Sequence, residues 1–157
     1  MKLDKIDLKI IETLQQDGRM TKQNLADAVA LSPSACLERL KKLEQSGYIR
    51  GYQAIVAVEK LVPYSAVLVE ITLENHRAED FRKFEHAIGN IPEIVECYAV
   101  GGGIDYIVKF VTRSIEHYQE IMDGLLDSGI GIDRYFSYFI TKQTKKTPYP
   151  VSRLLSD

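Results

Sequence analysis

An α+β fold is predicted, with helices gathered in the first third of the chain and strands alternating with helices in the rest. Two observations carry this expectation. Up to about Ile49 the apolar residues recur at helical spacing. From Gly51 onward, stretches with a two-residue period alternate with helical ones, and glycine or proline breaks separate them.

The elements follow in order. Leu3, Ile6, Ile10 and Leu14 form an apolar stripe, with Asp4, Lys5, Lys9 and Glu12 off it, and Asp17-Gly18 ends this first helix. Thr21 caps a second helix in which Leu25 and Val29 face inward, and Ala30-Leu31 turns the chain. Ser32 then caps a third helix running to Glu44, and Pro33 sits in its first turn, where a missing N–H costs nothing. Leu37, Leu40 and Leu43 are its expected inner stripe and Gly47 its stop. Tyr48 to Tyr52 reads as the start of an extended segment, so three helices and a strand give a winged helix-turn-helix pattern over residues 1–50.

Residues 51–63 read as a linker strand and hinge, with a strand over Gln53 to Val58 and a break at Lys60-Leu61-Val62-Pro63. Residues 64–147 form the second domain. Val67, Val69, Ile71 and Leu73 alternate with Leu68, Glu70 and Thr72 as a strand; Phe81, Phe84 and Ile88 mark a helix ending at Gly89-Asn90. Ile94 to Val100 and Ile104 to Val111 are strands joined by Gly101-Gly102-Gly103. Ser114 caps a helix carrying Ile115, Tyr118, Met122 and Leu125, and Arg134 to Ile140 closes the set. The order βαββαβ is the ferredoxin-like split motif. Residues 148–157 read as an extended, mobile tail.

At 157 residues the chain has room for one domain of average size or two small ones, and its 45% apolar and 27% charged residues are those of an ordinary globular protein. No apolar run approaches the roughly 18 residues of a membrane span, and Met1 to Lys5 has no signal-peptide core. Only Cys36 and Cys97 occur, so a reducing cytoplasm is expected. The net charge of −2 conceals an asymmetry: residues 1–50 hold nine Lys/Arg against seven Asp/Glu, the remainder eleven against fifteen. That balance permits a nucleic-acid partner in the first half without demanding one.

The third helix supplies the sharper reading. Ser34 and Ala35 keep its tip small enough for close approach to a surface, and Arg39, Lys41 and Lys42 follow one and two turns later. This suits a helix lying in a DNA major groove. Ser34, Ala35, Cys36, Glu38 and Arg39 are the candidates for base edges, with Pro33 at the tip and Thr21, Lys22, Ser32 and Lys42 on phosphates. Glu38 would orient Arg39 or accept from a cytosine. Arg39 has a second reading, as the ion-pair partner of Glu38 or of a neighbouring helix. Such a short contact implies pairing of two modules on a near-palindromic operator, with Gly51 to Val58 as the place where two chains cross.

The glycines of Gly101-Gly102-Gly103 lead into a strand with no lysine at Walker spacing, which excludes a phosphate-binding loop. A tight hairpin turn accounts for them. Bare backbone would also let a small amino acid approach, its carboxylate meeting exposed N–H groups. Asp105 would then bind the ammonium, fix the loop or cap the turn. No catalytic constellation is evident: His76, His86 and His117 are scattered, and no CxxC, HExxH or HxH spacing suggests a metal. A small ferredoxin-like enzyme and a metal-responsive regulator are the alternatives to weigh.

Particular residues also resemble the Lrp/AsnC (feast/famine) family of transcriptional regulators. Leu3-Asp4-x-x-Asp7-x-x-Ile10-Ile11-x-x-Leu14-x-x-Asp17-Gly18-Arg19 is similar to its first helix. Leu31-Ser32-Pro33-Ser34 and Arg39-Leu40-x-x-Leu43-Glu44-x-x-Gly47-Tyr48-Ile49 are similar to its turn and recognition helix. Pro92-Glu93-Ile94-Val95-Glu96-Cys97 and Gly101-Gly102-Gly103-Ile104-Asp105-Tyr106 resemble its central strands and effector loop. Two features depart from the pattern: Gly102-Gly103 stands where a polar or acidic residue is usual, and Ser128-Gly129-Ile130-Gly131 replaces a proline-glycine.

The resemblance implies a DNA-binding regulator of amino-acid-related metabolism, without a cofactor, controlled by a small amino acid or derivative bound between subunits at Gly101, Gly102, Gly103, Ile104, Asp105 and Tyr106. It further implies homodimers that associate into higher oligomers, an octamer, through the sheet domains. Tyr135, Phe136, Tyr138 and Phe139 are either that surface or part of their own core. The combination of Val100 to Tyr106 with Arg134-Tyr135-Phe136 is also similar to family members that accompany ectoine breakdown.

Overall fold

The structure, a computed structural model, describes residues 2–155; Met1 of the first predicted domain and residues 156 and 157 of the predicted tail lie outside the described residues. Two compact units form. One runs to Ile55 and includes the tail from Lys145; the other spans Val56–Thr144.

In the first unit, α1 (Lys5–Gln16) starts from a reciprocal cap. The Asp4 side chain accepts from the Ile6 and Asp7 amides at 2.9 Å each, and the Asp4 amide donates to Asp7 Oδ2 at 3.0 Å. α2 (Lys22–Val29) is capped by Thr21, which accepts from the Asn24 amide at 3.1 Å. It ends at Ala30 with φ 58° and ψ 47°, a left-handed conformation unusual for a residue with a Cβ. That reversal delivers the chain to α3 (Pro33–Gln45).

Ile10, Leu25, Ala26, Val29, Cys36, Leu40 and Leu43 are buried between the three helices. The inner stripe of α3 is therefore Cys36-Leu40-Leu43, with Leu37 only half-buried, which corrects the predicted stripe. The cause is helical phase: at about 100° per residue, steps of four and three return to one side, whereas two steps of three drift.

No strand forms over Gln53 to Val58. Residues 51–63 are exposed throughout, and their only regular element is a 3₁₀ turn at Val58–Lys60. A strand needs a ladder partner, and the segment has none among the described residues. The tail departs from expectation too. It carries a short helix, α6 (Val151–Leu154), packed on α1.

The second unit holds β1 (Ser65–Leu73), α4 (Ala78–Ile88), β2 (Ile94–Ala99), β3 (Tyr106–Thr112), α5 (Ile115–Asp127) and β4 (Ile132–Phe139). The strands form one antiparallel sheet in the order β2-β3-β1-β4, the predicted ferredoxin-like arrangement. Alternate residues of β1, Val67, Val69, Ile71 and Leu73, pack under the helices with Tyr106, Val108 and Phe110 of β3. Each such aliphatic side chain contributes about 1.5–3 kcal/mol by leaving water. Phe84 and Ile88 of α4 and Tyr118, Met122 and Leu125 of α5 close this core, and the Tyr118 hydroxyl pairs with that of Ser137.

Registration of β4 on β1 sets Phe136 opposite Glu70 and Tyr138 opposite Leu68, on the face away from the helices. All four nominated aromatics, Tyr135, Phe136, Tyr138 and Phe139, are exposed rather than sealed in the core.

Candidate nucleic-acid interface and effector loop

The tips of α2 and α3 present the small, polar groups expected of them. Thr21, Lys22, Ser32, Pro33 and Ser34 are exposed, and Ala35 is half-buried. Ser32 Oγ accepts from the Ala35 amide at 3.3 Å and lies 3.2 Å from Ser34 Oγ. One hydroxyl of the Ser32–Ser34 pair still has a proton to donate, beside first-turn N–H groups that have no helical partner, an arrangement that attracts phosphate.

Two expected base-edge contacts are placed elsewhere. Cys36 is buried in the helical core, where desolvation raises its thiol pKa; it lies on the inner side of α3 and cannot face a groove. Arg39 is turned to α1. Its Nη1 sits 2.7 Å from both Asp4 Oδ2 and Asp7 Oδ1, so the neighbouring-helix reading holds and base readout does not.

The physical reason lies in Asp7, a carboxylate only 5% exposed that requires a cation to offset its desolvation. The Asp7 and Asp4 hydrogen bonds raise the guanidinium pKa further. The Asp7 amide first, and Arg39 second, hold the Asp4 carboxyl below its usual range. Arg39 is thus a strap from α3 to the cap of α1.

Glu38 does not orient Arg39. It pairs with Lys42 across one helical turn at 2.7 Å, and that contact lowers its pKa. Both side chains are well exposed, so the pair is weak and both partners can be drawn to other groups.

Sequence reasoning passed over Asp4 and Asp7 as partners. The available signal was an acid in phase with Leu3, Ile10 and Leu14, on the stripe that packs against α3.

In the second unit, Gly101, Gly102 and Gly103 form the exposed turn between β2 and β3, closed by the Val100 amide donating to the Asp105 carbonyl at 2.9 Å. Gly102 has φ 141°, which a residue with a Cβ rarely adopts. A Cβ at any of the three would meet nothing within 4 Å, leaving open space over the loop. Ile104 is half-buried.

Asp105 turns inward. Its Oδ2 accepts from the Leu73 amide at 2.8 Å and lies 3.1 Å from His76 Nε2, so it ties the end of β1 to the loop. His76 carries no sequence signal for this contact. Tyr106 is a core residue, 2% exposed and packed on Phe84, and its hydroxyl donates to Glu85 Oε1 at 2.9 Å. Burial and Glu85 raise its pKa. The expected six-residue cluster therefore divides into an open glycine turn and an inward-facing Asp105-Tyr106 anchor.

Comparison with known proteins matches the two parts of the chain separately. Residues 3–50 match a winged helix-turn-helix DNA-binding family, and residues 66–150 match the Lrp/AsnC ligand binding domain. The chain is of the class that joins a DNA-binding module to a ligand-binding one.

Transcriptional regulatory protein DoeX of Halomonas elongata is 48% identical over 152 residues, covering 97% of this chain and 96% of that protein. The leucine-responsive regulatory protein of Haemophilus influenzae is 36% identical over 95% of this chain and 90% of its own. A transcriptional regulator of Neisseria meningitidis, solved in complex with L-methionine, superposes with a TM-score of 0.90 at 32% identity, covering 98% of this chain and 100% of that one. The chain belongs to the Lrp/AsnC family of transcriptional regulators. It acts by binding DNA, and its named relatives are regulators, not enzymes. No helix among the described residues is long and apolar enough to cross a membrane.

Proposed function

We propose that this regulator works in the cytoplasm and is controlled by a small amino acid or amino-acid derivative held at the Gly101 to Tyr106 turn between subunits. The supporting observation is the exposed, side-chain-free turn in a domain whose Neisseria relative was solved with L-methionine. Backbone N–H groups there would meet the ligand carboxylate. Asp105, already engaged with Leu73 and His76, would hold the turn's shape.

On DNA, Ser34, Ala35 and Glu38 would face base edges, with Thr21, Lys22, Ser32 and Lys42 on phosphates. A near-palindromic operator would take two such modules. Exposed Ile55, Leu61 and Val62 in the connection, with Phe136 and Tyr138 on the open sheet face, favour a dimer that assembles further, to an octamer.

Calorimetry tests the ligand. The panel holds the common amino acids, L-methionine among them, and amino acids formed on ectoine breakdown. At least one should bind and shift the footprint on an operator fragment. Binding by none would refute control by amino acids.

A further inference from the structure

The tail beyond β4 is built into the DNA-binding unit. From Lys145 onward it packs with the helices, and α6 rests on α1. Ser152 supplies the docking contact: its amide donates to Glu12 Oε1 at 3.0 Å, and its hydroxyl donates to the same oxygen. These bonds lower the Glu12 pKa, and Val151 beside them is half-buried. Glu12 thus spends its charge on the tail.

The docked tail changes the charge of the module. Residues up to Ile55 carry nine Lys/Arg against seven Asp/Glu, a balance of +2. The described part of the tail adds Lys145, Lys146 and Arg153 and no acid, which brings the unit to +5. Lys145 and Lys146 join no ion pair among the described residues, in contrast to Lys42 and Arg39. On the helices themselves, one cation is committed to the α1 cap and another to Glu38. Lys145 and Lys146 therefore add two uncommitted cations to those the helices keep for phosphates.

We propose that the C-terminal tail is a second, sequence-independent DNA-contacting arm of the helix-turn-helix unit, with Lys145 and Lys146 on backbone phosphates flanking the stretch that α3 meets. Docking at Glu12 keeps the arm beside the module, so it loses less freedom on binding than an untethered tail. This rests on the DNA-binding role of the first unit.

The test is the salt dependence of binding by the full chain, on an operator fragment and on random duplex. Each phosphate contact contributes about 0.9 to the slope of log K against log salt. The double variant Lys145→Gln/Lys146→Gln is expected to flatten the slope by about 1.8 on both duplexes. Between 200 and 50 mM salt, the wild type should then gain about tenfold more affinity than the variant. The preference for operator over random duplex should stay the same. Lys142→Gln, just outside the unit, should leave the slope unchanged, which separates an arm from a simple net-charge effect.

An unchanged slope in the double variant overturns the arm while DNA binding by α3 stands. A loss confined to the operator overturns its sequence independence, and a slope change of about 0.9 in Lys142→Gln, half that of the double variant, overturns its localisation. Absence of salt-dependent binding by the wild type would remove the DNA-binding reading itself. A thermal scan of each variant, unchanged from wild type, confirms that the fold is kept.

Discussion

Replacing Asp105 by alanine separates its structural part from any ligand contact. The substitution leaves the Leu73 amide, at a residue 2% exposed, without the acceptor now 2.8 Å away. A buried N–H deprived of its partner costs about 1–3 kcal/mol. The His76 contact adds little, because His76 is 57% exposed and water screens it. Taking about 2 kcal/mol for a unit of roughly 90 residues, the melting temperature should fall by about 10 °C.

Asp105→Asn keeps an oxygen acceptor at the same place and should cost under about 1 kcal/mol. Circular dichroism scans at one fixed protein concentration would measure both, since assembly also shifts the transition. If alanine melts with the wild type, or asparagine is as damaging as alanine, the hydrogen-bond account of Asp105 is wrong. Should Asp105→Asn keep stability yet lose amino-acid binding, the carboxylate would be an ammonium ligand and not only a brace.

Other outcomes follow from the helical unit. The Asp4 carboxyl has a folded pKa below its ordinary 3.8, so its contribution is present above that value and is lost as pH falls through the folded one. Asp4→Asn should therefore be less stable than wild type at pH 6, and the gap should close in urea titrations below about pH 3.8. Ala30→Gly relieves a left-handed residue and should stabilise by about 0.5–1 kcal/mol; a loss of stability in the same titration at neutral pH would contradict that. Leu43→Ala, at a fully buried position, should cost about 2–5 kcal/mol; a shift below 1 kcal/mol in the same measurement would show that the core collapses around the cavity. Glu38→Gln should strengthen binding to random duplex by removing a charge that repels phosphate, and should narrow the preference for an operator; gel shifts showing weaker binding to random duplex would contradict that.

The sheet domain was legible because its strands alternate cleanly and its breaks fall at glycines. Val67 to Leu73 could take only one register with an apolar face turned to the helices. Caps at Thr21, Ser32 and Ser114 were equally legible, since side-chain oxygens at helix starts act locally.

What escaped the reading depends on distant partners. Arg39 looks like a groove reader in sequence; only packing of α1 on α3 brings the buried Asp7 to it. The strand expected over 53–58 rests on apolar residues alone, and a ladder partner for it leaves no mark in the sequence. Lys145 to Arg153 carries no apolar period, so its docking on Glu12 leaves no local mark in the sequence.

The Arg39 strap has a consequence for how sites on DNA would be told apart. Without its guanidinium, the groove-facing side of α3 offers mainly short neutral groups, and these distinguish few nucleotide pairs per half-site. On the proposed two-module operator, selectivity would then draw on how readily a sequence bends and narrows between half-sites, a property spread over many base steps. Promoters answering to such a protein would share a rhythm of flexible and stiff steps more than a common word.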